Sequence, residues 1–231
     1  MTPPTEYITV VYMNPIYKSG VLSLIVQAFT GLFDIYVLML PFEPRLALLK
    51  NLLKLELFVQ IIEGAFYVWL VTSFASIGDI TKFRYYDWVI TTPTMLFSYC
   101  MYLVYLNTGS KETDLLKATI ENTPTLVPIF ILNTLMLLSG YLAETGRITH
   151  NVGAVLGFIP FFAFFYLIYD NFAKFTNIGK LTFWYFSGIW SLYGVASVLS
   201  YKYKNTIYNV LDLFAKNFFG IFLAVVLLMS R

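Results

Sequence analysis

The chain has 231 residues, of which 58% are hydrophobic and 12% charged, with a formal charge of +2. Soluble domains run at about 45–50% and about 25%, so a water-soluble globular fold is excluded, while at roughly 20 apolar residues per crossing the length suits one seven-helix membrane domain over 1–231. The basic residues are scattered rather than gathered on one face, which argues against nucleic-acid binding, and Cys100, the only cysteine, forms no disulfide within the chain.

Residues 1–18 lack a basic stretch followed by an apolar core and a small-residue cleavage site, so no removable signal peptide is expected. Apolar runs at 21–40, 55–77, 85–106, 126–142, 152–168, 181–199 and 207–229 predict seven transmembrane helices. Polar or helix-breaking segments separate them at 41–44, 78–82, 107–117, 144–151, 170–180 and 200–205. Connections this short make consecutive helices antiparallel neighbours. The runs are continuous rather than alternating, which argues against a β-barrel, and lipid excludes open β structure. The fold class expected is therefore all-α, a seven-transmembrane-helix bundle in the lipid bilayer.

With the N-terminus extracellular and the C-terminus cytoplasmic, the inner side carries Arg45, Lys50, Lys54, Lys111, Lys117, Lys174, Lys180 and Arg231. The outer side then carries Lys18, Lys82, Arg84, Arg147, Lys202 and Lys204, and eight against six favours this orientation.

An ionisable group near the bilayer centre costs at least about 2.5–3.5 kcal/mol, so each one needs a partner or a purpose. The third helix places Arg84, Asp87 and Thr91 on one face at spacings of three and four, with Ser98 almost whole turns further along. In the seventh, Asp212 and Lys216 stand one turn apart. A buried ion-pair network that fixes helix register accounts for both pairs equally well. A buried lysine near two aspartates is also what an imine-linked cofactor needs, because lysine condenses with an aldehyde and the cation formed requires carboxylate counter-ions away from water.

Two stretches resemble the microbial (type 1) rhodopsins. Arg84-Tyr-Tyr-Asp87-Trp88-Val-Ile-Thr91-Thr92-Pro93 is similar to that family's third-helix signature, and Leu211-Asp212-Leu-Phe-Ala215-Lys216 to its seventh-helix signature. The likeness covers the second to seventh helices. It implies all-trans retinal as cofactor, held as a Schiff base on Lys216, with Asp87 as counter-ion and proton acceptor and Asp212 as second counter-ion. Trp190-Ser-Leu-Tyr193-Gly194 is similar to the sixth-helix aromatic pair, with Gly194 where the family usually has proline, and Asn133, Met136 and Gly140 repeat a fourth-helix spacing. By this resemblance Trp88 and Trp190 clamp the polyene, Met136 and Gly140 line its ring end, Asn133 pairs with Thr92, and Tyr193 hydrogen-bonds Asp212. Thr91 would hydrogen-bond Asp87, and Arg84 would keep both aspartates ionised. For Tyr67, Phe161 and Phe164 ordinary core packing serves as well.

Two departures bear on transport. Ser98 stands where the family's cytoplasmic proton donor is expected, and the Asp, Thr, Ser triplet on the third helix resembles a group of viral rhodopsins. A serine cannot supply that proton at neutral pH; Asp34 and Glu56 are alternative donors, although helix-end or interface acids explain each alone. The 200–205 connection has no acidic residue for proton release. The second departure is Glu63 in mid-span with Asn217 after the lysine, similar to the central gate of channelrhodopsins, which Ser23 or Gln27 would complete. An outward proton pump stands slightly ahead of a light-gated cation channel, and a photosensor comes last. The transported species is a proton or small cation, no enzymatic activity or metal is expected, and a homo-oligomer is compatible with the resemblance.

Overall fold

A computed structural model describes residues 13–109 and 112–231. Residues 1–12 and Lys111, which entered the signal-peptide and charge arguments, lie outside the described residues. Seven helices follow one another: α1 Pro15–Met39, α2 Pro44–Ser76, α3 Thr81–Asn107, α4 Leu115–Glu144, α5 His150–Ala173, α6 Asn177–Ser197 and α7 Tyr201–Met229. No strand occurs among the described residues. All but α6 are long and apolar enough to cross a membrane by length and composition. Gly, Ser, Tyr and Trp residues dilute α6, which is held between α5 and α7.

The helices outrun the apolar runs that predicted them, because polar residues at the ends continue the backbone ladder into the interface. α2 starts at Pro44 rather than at 55, and α4 runs from Leu115 straight through Pro124 and Pro128. Lys202 and Lys204, expected in an outer connection, lie in the first turn of α7. Side chains fix several starts: Asn14 accepts from Ile16 N ahead of Pro15, Asp114 from Lys117 N, Thr149 from Val152 N and Thr176 from Gly179 N. Gly109 and Gly146 end α3 and α4 with φ of 67° and 72°, a conformation that glycine adopts without a Cβ penalty.

Consecutive helices pack together, and α7 closes the bundle against α1, α2 and α6. The packing is inside-out relative to a soluble protein. On α1 the exposed side chains include Leu22, Ile25, Phe29, Leu32 and Tyr36, whereas Ser23, Gln27, Thr30 and Asp34 are buried. An outer face this apolar suits lipid, and the inward polar stripe is a departure that needs a function.

Two helices contain π turns, at Tyr169–Ala173 in α5 and Leu213–Asn217 in α7. The second widens α7 at the lysine, so that Ala215, Lys216 and Asn217 are all buried in succession. The Phe214 carbonyl accepts a hydrogen bond from Tyr185 Oη at 2.9 Å. Such bulges concentrate at functional sites.

Candidate functional site

The buried lysine is the centre of a three-carboxylate site. Lys216 Nζ donates to Asp87 Oδ2 at 2.6 Å and lies 3.7 Å from both Asp212 Oδ1 and Glu63 Oε1. The helices α2, α3 and α7 each supply one acid, and all four side chains are shut away from solvent.

The two aspartates differ in their surroundings. Asp212 is fully engaged: Tyr193 Oη donates to Oδ1 at 2.7 Å, Tyr67 Oη donates to Oδ2 at 2.6 Å, and Arg84 Nη1 stands 3.5 Å from Oδ2. Asp87 has Lys216 on Oδ2 and no hydrogen-bond partner on Oδ1. Thr91 donates its hydroxyl to the Asp87 backbone carbonyl at 3.0 Å, as a threonine on a helix readily does one turn back, and stands close enough to the Asp87 carboxyl to act on it as well. Arg84 is fully buried and reaches Asp212, Asn205 and Asn209. Of the two aspartates, Asp212 is the one it pairs with.

An apolar cavity of about 880 Å³ of atom-free space, its open mouth included, runs from Lys216 outward between α3, α4, α5 and α6. Trp88, Met136, Gly140, Trp190, Tyr193 and Gly194 are among its walls. Asn133 Nδ2 donates to Thr92 Oγ1 at 2.9 Å, the expected link between α4 and α3. A Cβ on Gly140 of α4 would press on Tyr85 Oη, and one on Gly194 would lie 2.6 Å from the Phe158 ring, so a larger residue at either place would push an aromatic side chain aside. Phe161 lines the cavity and Phe164 packs behind it in a run of aromatic rings.

Toward the Ser98 end the polar stripe of α1 meets one on α2. Gln27 Nε2 donates to Glu63 Oε2 at 2.6 Å, Thr30 Oγ1 to Asn217 Oδ1 at 2.7 Å, and Gln60 Nε2 to Asp34 Oδ2 at 2.6 Å. Gln27, not Ser23, is therefore the α1 partner of Glu63, since Ser23 donates to the Asn209 carbonyl at 2.8 Å.

Several contributing residues carried no sequence signal. Tyr67, for which core packing and a pocket role stood level, is an Asp212 ligand. Lys204 and Glu144, assigned to connections, form a buried ion pair at 2.7 Å beside His150, and Glu144 and His150 line the cavity. Charged residues at helix ends look solvated until a third helix is seen to cover them.

The bacteriorhodopsin-like protein family model matches residues 19–229. The fold is similar to that of viral rhodopsin OLPVRII, with a TM-score of 0.82, 28% identity, and coverage of 94% of this chain and 99% of that one. It is also similar to a blue light-absorbing proteorhodopsin from Med12, with a TM-score of 0.74, 18% identity, and coverage of 93% and 98%. For xanthorhodopsin, described as a light-driven ion pump with a dual chromophore, the TM-score is 0.73 and the identity 14%, over 96% and 94%. No curated protein sequence matches the chain. Retinal, the chromophore of rhodopsins, fits these residues: an amine with carboxylates around it opens on an apolar cavity walled by two tryptophans, one of which, Trp190, has a buried Nε1 without a partner. With the family's model matched over nearly the whole length and six helices among the described residues able to cross a membrane, the chain belongs to the bacteriorhodopsin-like family, the microbial rhodopsins, as an integral multi-pass membrane protein.

Proposed function

We propose that the chain binds all-trans retinal as an imine on Lys216 Nζ and exports protons in the light, with the N-terminus outside. The bound chromophore supplies a light-driven isomerisation that changes how the nitrogen faces its carboxylates. The single observation that carries this reading is the 2.6 Å contact from Lys216 Nζ to Asp87 Oδ2 on an aspartate whose other oxygen is free. Asp212 holds two phenols and faces a guanidinium, so its lone pairs are committed. Asp87 is then the group that receives the proton from Nζ, at a heavy-atom separation within the range for direct transfer. Arg84 precedes Asp87 by three residues on α3, Asn209 and Asn205 precede Asp212 by three and seven on α7, and the three, joined by hydrogen bonds, would relay the proton toward the outer surface. Trp88 and Trp190 would restrict the chromophore, and Thr92 with Asn133 would brace α3 against α4 beside it.

A light-gated cation channel is the second reading, favoured by one observation. Glu63, hydrogen-bonded to Gln27, stands 3.7 Å from the lysine, and Asn217 is tied to Thr30 beside it. A polar constriction of this kind, loosened by movement at Lys216, would pass cations. A photosensor has no comparable structural support.

Vesicles of uniform orientation carrying the retinal-loaded protein distinguish the two readings. Proton export requires a light-driven pH change without any starting gradient, abolished by a protonophore and absent from Asp87→Asn. A pH change that appears only when a cation gradient is imposed would refute it.

A further inference from the structure

The cavity is polar in two places, at Lys216 and where α4 ends and α5 and α7 begin. Glu144, the last residue of α4, stands one turn beyond Gly140. Its carboxylate oxygens accept from Lys204 Nζ at 2.7 and 2.8 Å, and Nζ lies 3.3 Å from His150 Nε2. The Lys204 and Glu144 side chains are buried, whereas His150 is exposed. A carboxylate and an imidazole on the wall of so apolar a cavity are costly unless something inside it uses them.

Tyr85 of α3 lines the same cavity, and its Oη lies so close to the Gly140 backbone that an added Cβ would press on it. Trp88 and Tyr141 hold its ring edge-on, at centroid distances of 5.0 and 5.6 Å. The negative charge of Glu144 is near enough to act on Tyr85 and on Tyr208. The other hydroxyls on the wall have acceptors: Thr92 donates to the Trp88 carbonyl, Ser197 to the Gly194 carbonyl, Tyr193 to Asp212 and Tyr208 to the Tyr193 carbonyl. Only the Tyr85 hydroxyl has none among the described residues. A tyrosine hydroxyl shut into an apolar space is normally paired, so an unpaired one facing a cavity points to a ligand atom.

We infer that the cavity takes a retinal hydroxylated on its ring, the ring oxygen accepting a hydrogen bond from Tyr85 Oη and the ring hydroxyl donating one to the Glu144 carboxylate. The inference rests on the reading of Lys216 as the attachment point and deepens it by naming the class of chromophore. With the aldehyde carbon on Nζ and the polyene between Trp88 and Trp190, the ring would come to Met136 and Gly140, beside Tyr85. Glu144 remains paired with Lys204, because a carboxylate has lone pairs for both donors. Discrimination comes from bonds left unmade: a hydrocarbon ring leaves the Tyr85 hydroxyl buried without an acceptor.

The test titrates three all-trans retinals into the full-length protein: unsubstituted, and with a hydroxyl on the third or the fourth ring carbon. Binding is followed by the visible band in the parent, and in Lys216→Ala by quenching of tryptophan fluorescence, which needs no imine. One of the hydroxylated forms should half-saturate both proteins at a concentration roughly tenfold lower than the unsubstituted form does, about what one buried hydrogen bond contributes. In Tyr85→Phe the ratio of the two concentrations should fall close to one. Equal half-saturation by all three retinals would overturn the inference, as would a preference that Tyr85→Phe leaves intact. A parent that forms no visible band with any of them, while Lys216→Ala keeps the preference, would instead overturn the imine reading and leave the ring site standing.

Discussion

Replacing Asp87 by Asn removes the closest of three carboxyl groups from Lys216 while keeping the side-chain shape. At an effective dielectric of about 20, a carboxylate 2.6 Å from the nitrogen contributes about 6 kcal/mol of attraction, against about 4.5 kcal/mol for one at 3.7 Å. Excitation of the chromophore draws positive charge away from the nitrogen, so the nearest counter-ion stabilises the ground state more than the excited state. Asp87→Asn should therefore absorb at longer wavelength, still form pigment, and lose light-driven proton transfer. Glu63→Gln, which keeps a carbonyl oxygen for Gln27, should shift the band less. Asp212→Asn should reduce pigment yield as well, because it weakens contacts to Tyr67, Tyr193 and Arg84 together. The assay is visible absorption of the three reconstituted variants at one pH, with light-driven proton transfer followed by a pH-sensitive dye. An unshifted Asp87→Asn spectrum, or a Glu63→Gln shift of equal size, would refute the assignment of Asp87 as principal counter-ion.

Other substitutions test the rest of the site. Lys216→Ala should form no visible retinal band on reconstitution, while its helical circular dichroism stays that of the parent. Gly140→Ala should displace the Tyr85 ring, which crowds that backbone, and either shift the band or slow pigment formation, measured by retinal titration. Lys204→Met strands the buried Glu144 carboxylate and should cost about 3 kcal/mol or more, read as a lower melting temperature. The double variant with Glu144→Gln should recover part of that loss. Thr92→Val breaks the 2.9 Å bond to Asn133 and should cost about 1 kcal/mol, in the same melting assay.

Much of this was legible in the sequence because membranes make polar residues conspicuous. Asp87, Asp212, Lys216 and Arg84 stood out against apolar runs, and the structure brings them to one point. Glu63 was visible for the same reason, but its partner was not: the choice between Ser23 and Gln27 depends on the relative rotation of α1 and α2, which no single helix encodes. The pairing of Asp34 with Gln60 was hidden likewise. The π turn at Leu213–Asn217 leaves no trace in composition: the resemblance put both Lys216 and Asn217 at the site, but regular helical spacing does not explain how two successive side chains are buried there. Helix ends were the weakest part, since hydropathy marks the lipid-facing core and not the cap, as the early start of α2 and the long α4 demonstrate.

The central claim is that light drives protons outward past Asp87. Photocurrent against holding voltage, recorded with controlled gradients of protons, sodium and potassium, tests it most directly. Export predicts current of one sign through zero voltage, insensitive to the sodium and potassium gradients and lost in Asp87→Asn. A current that reverses at the equilibrium potential of sodium or potassium would contradict it and leave the Glu63 and Asn217 constriction as the ion path.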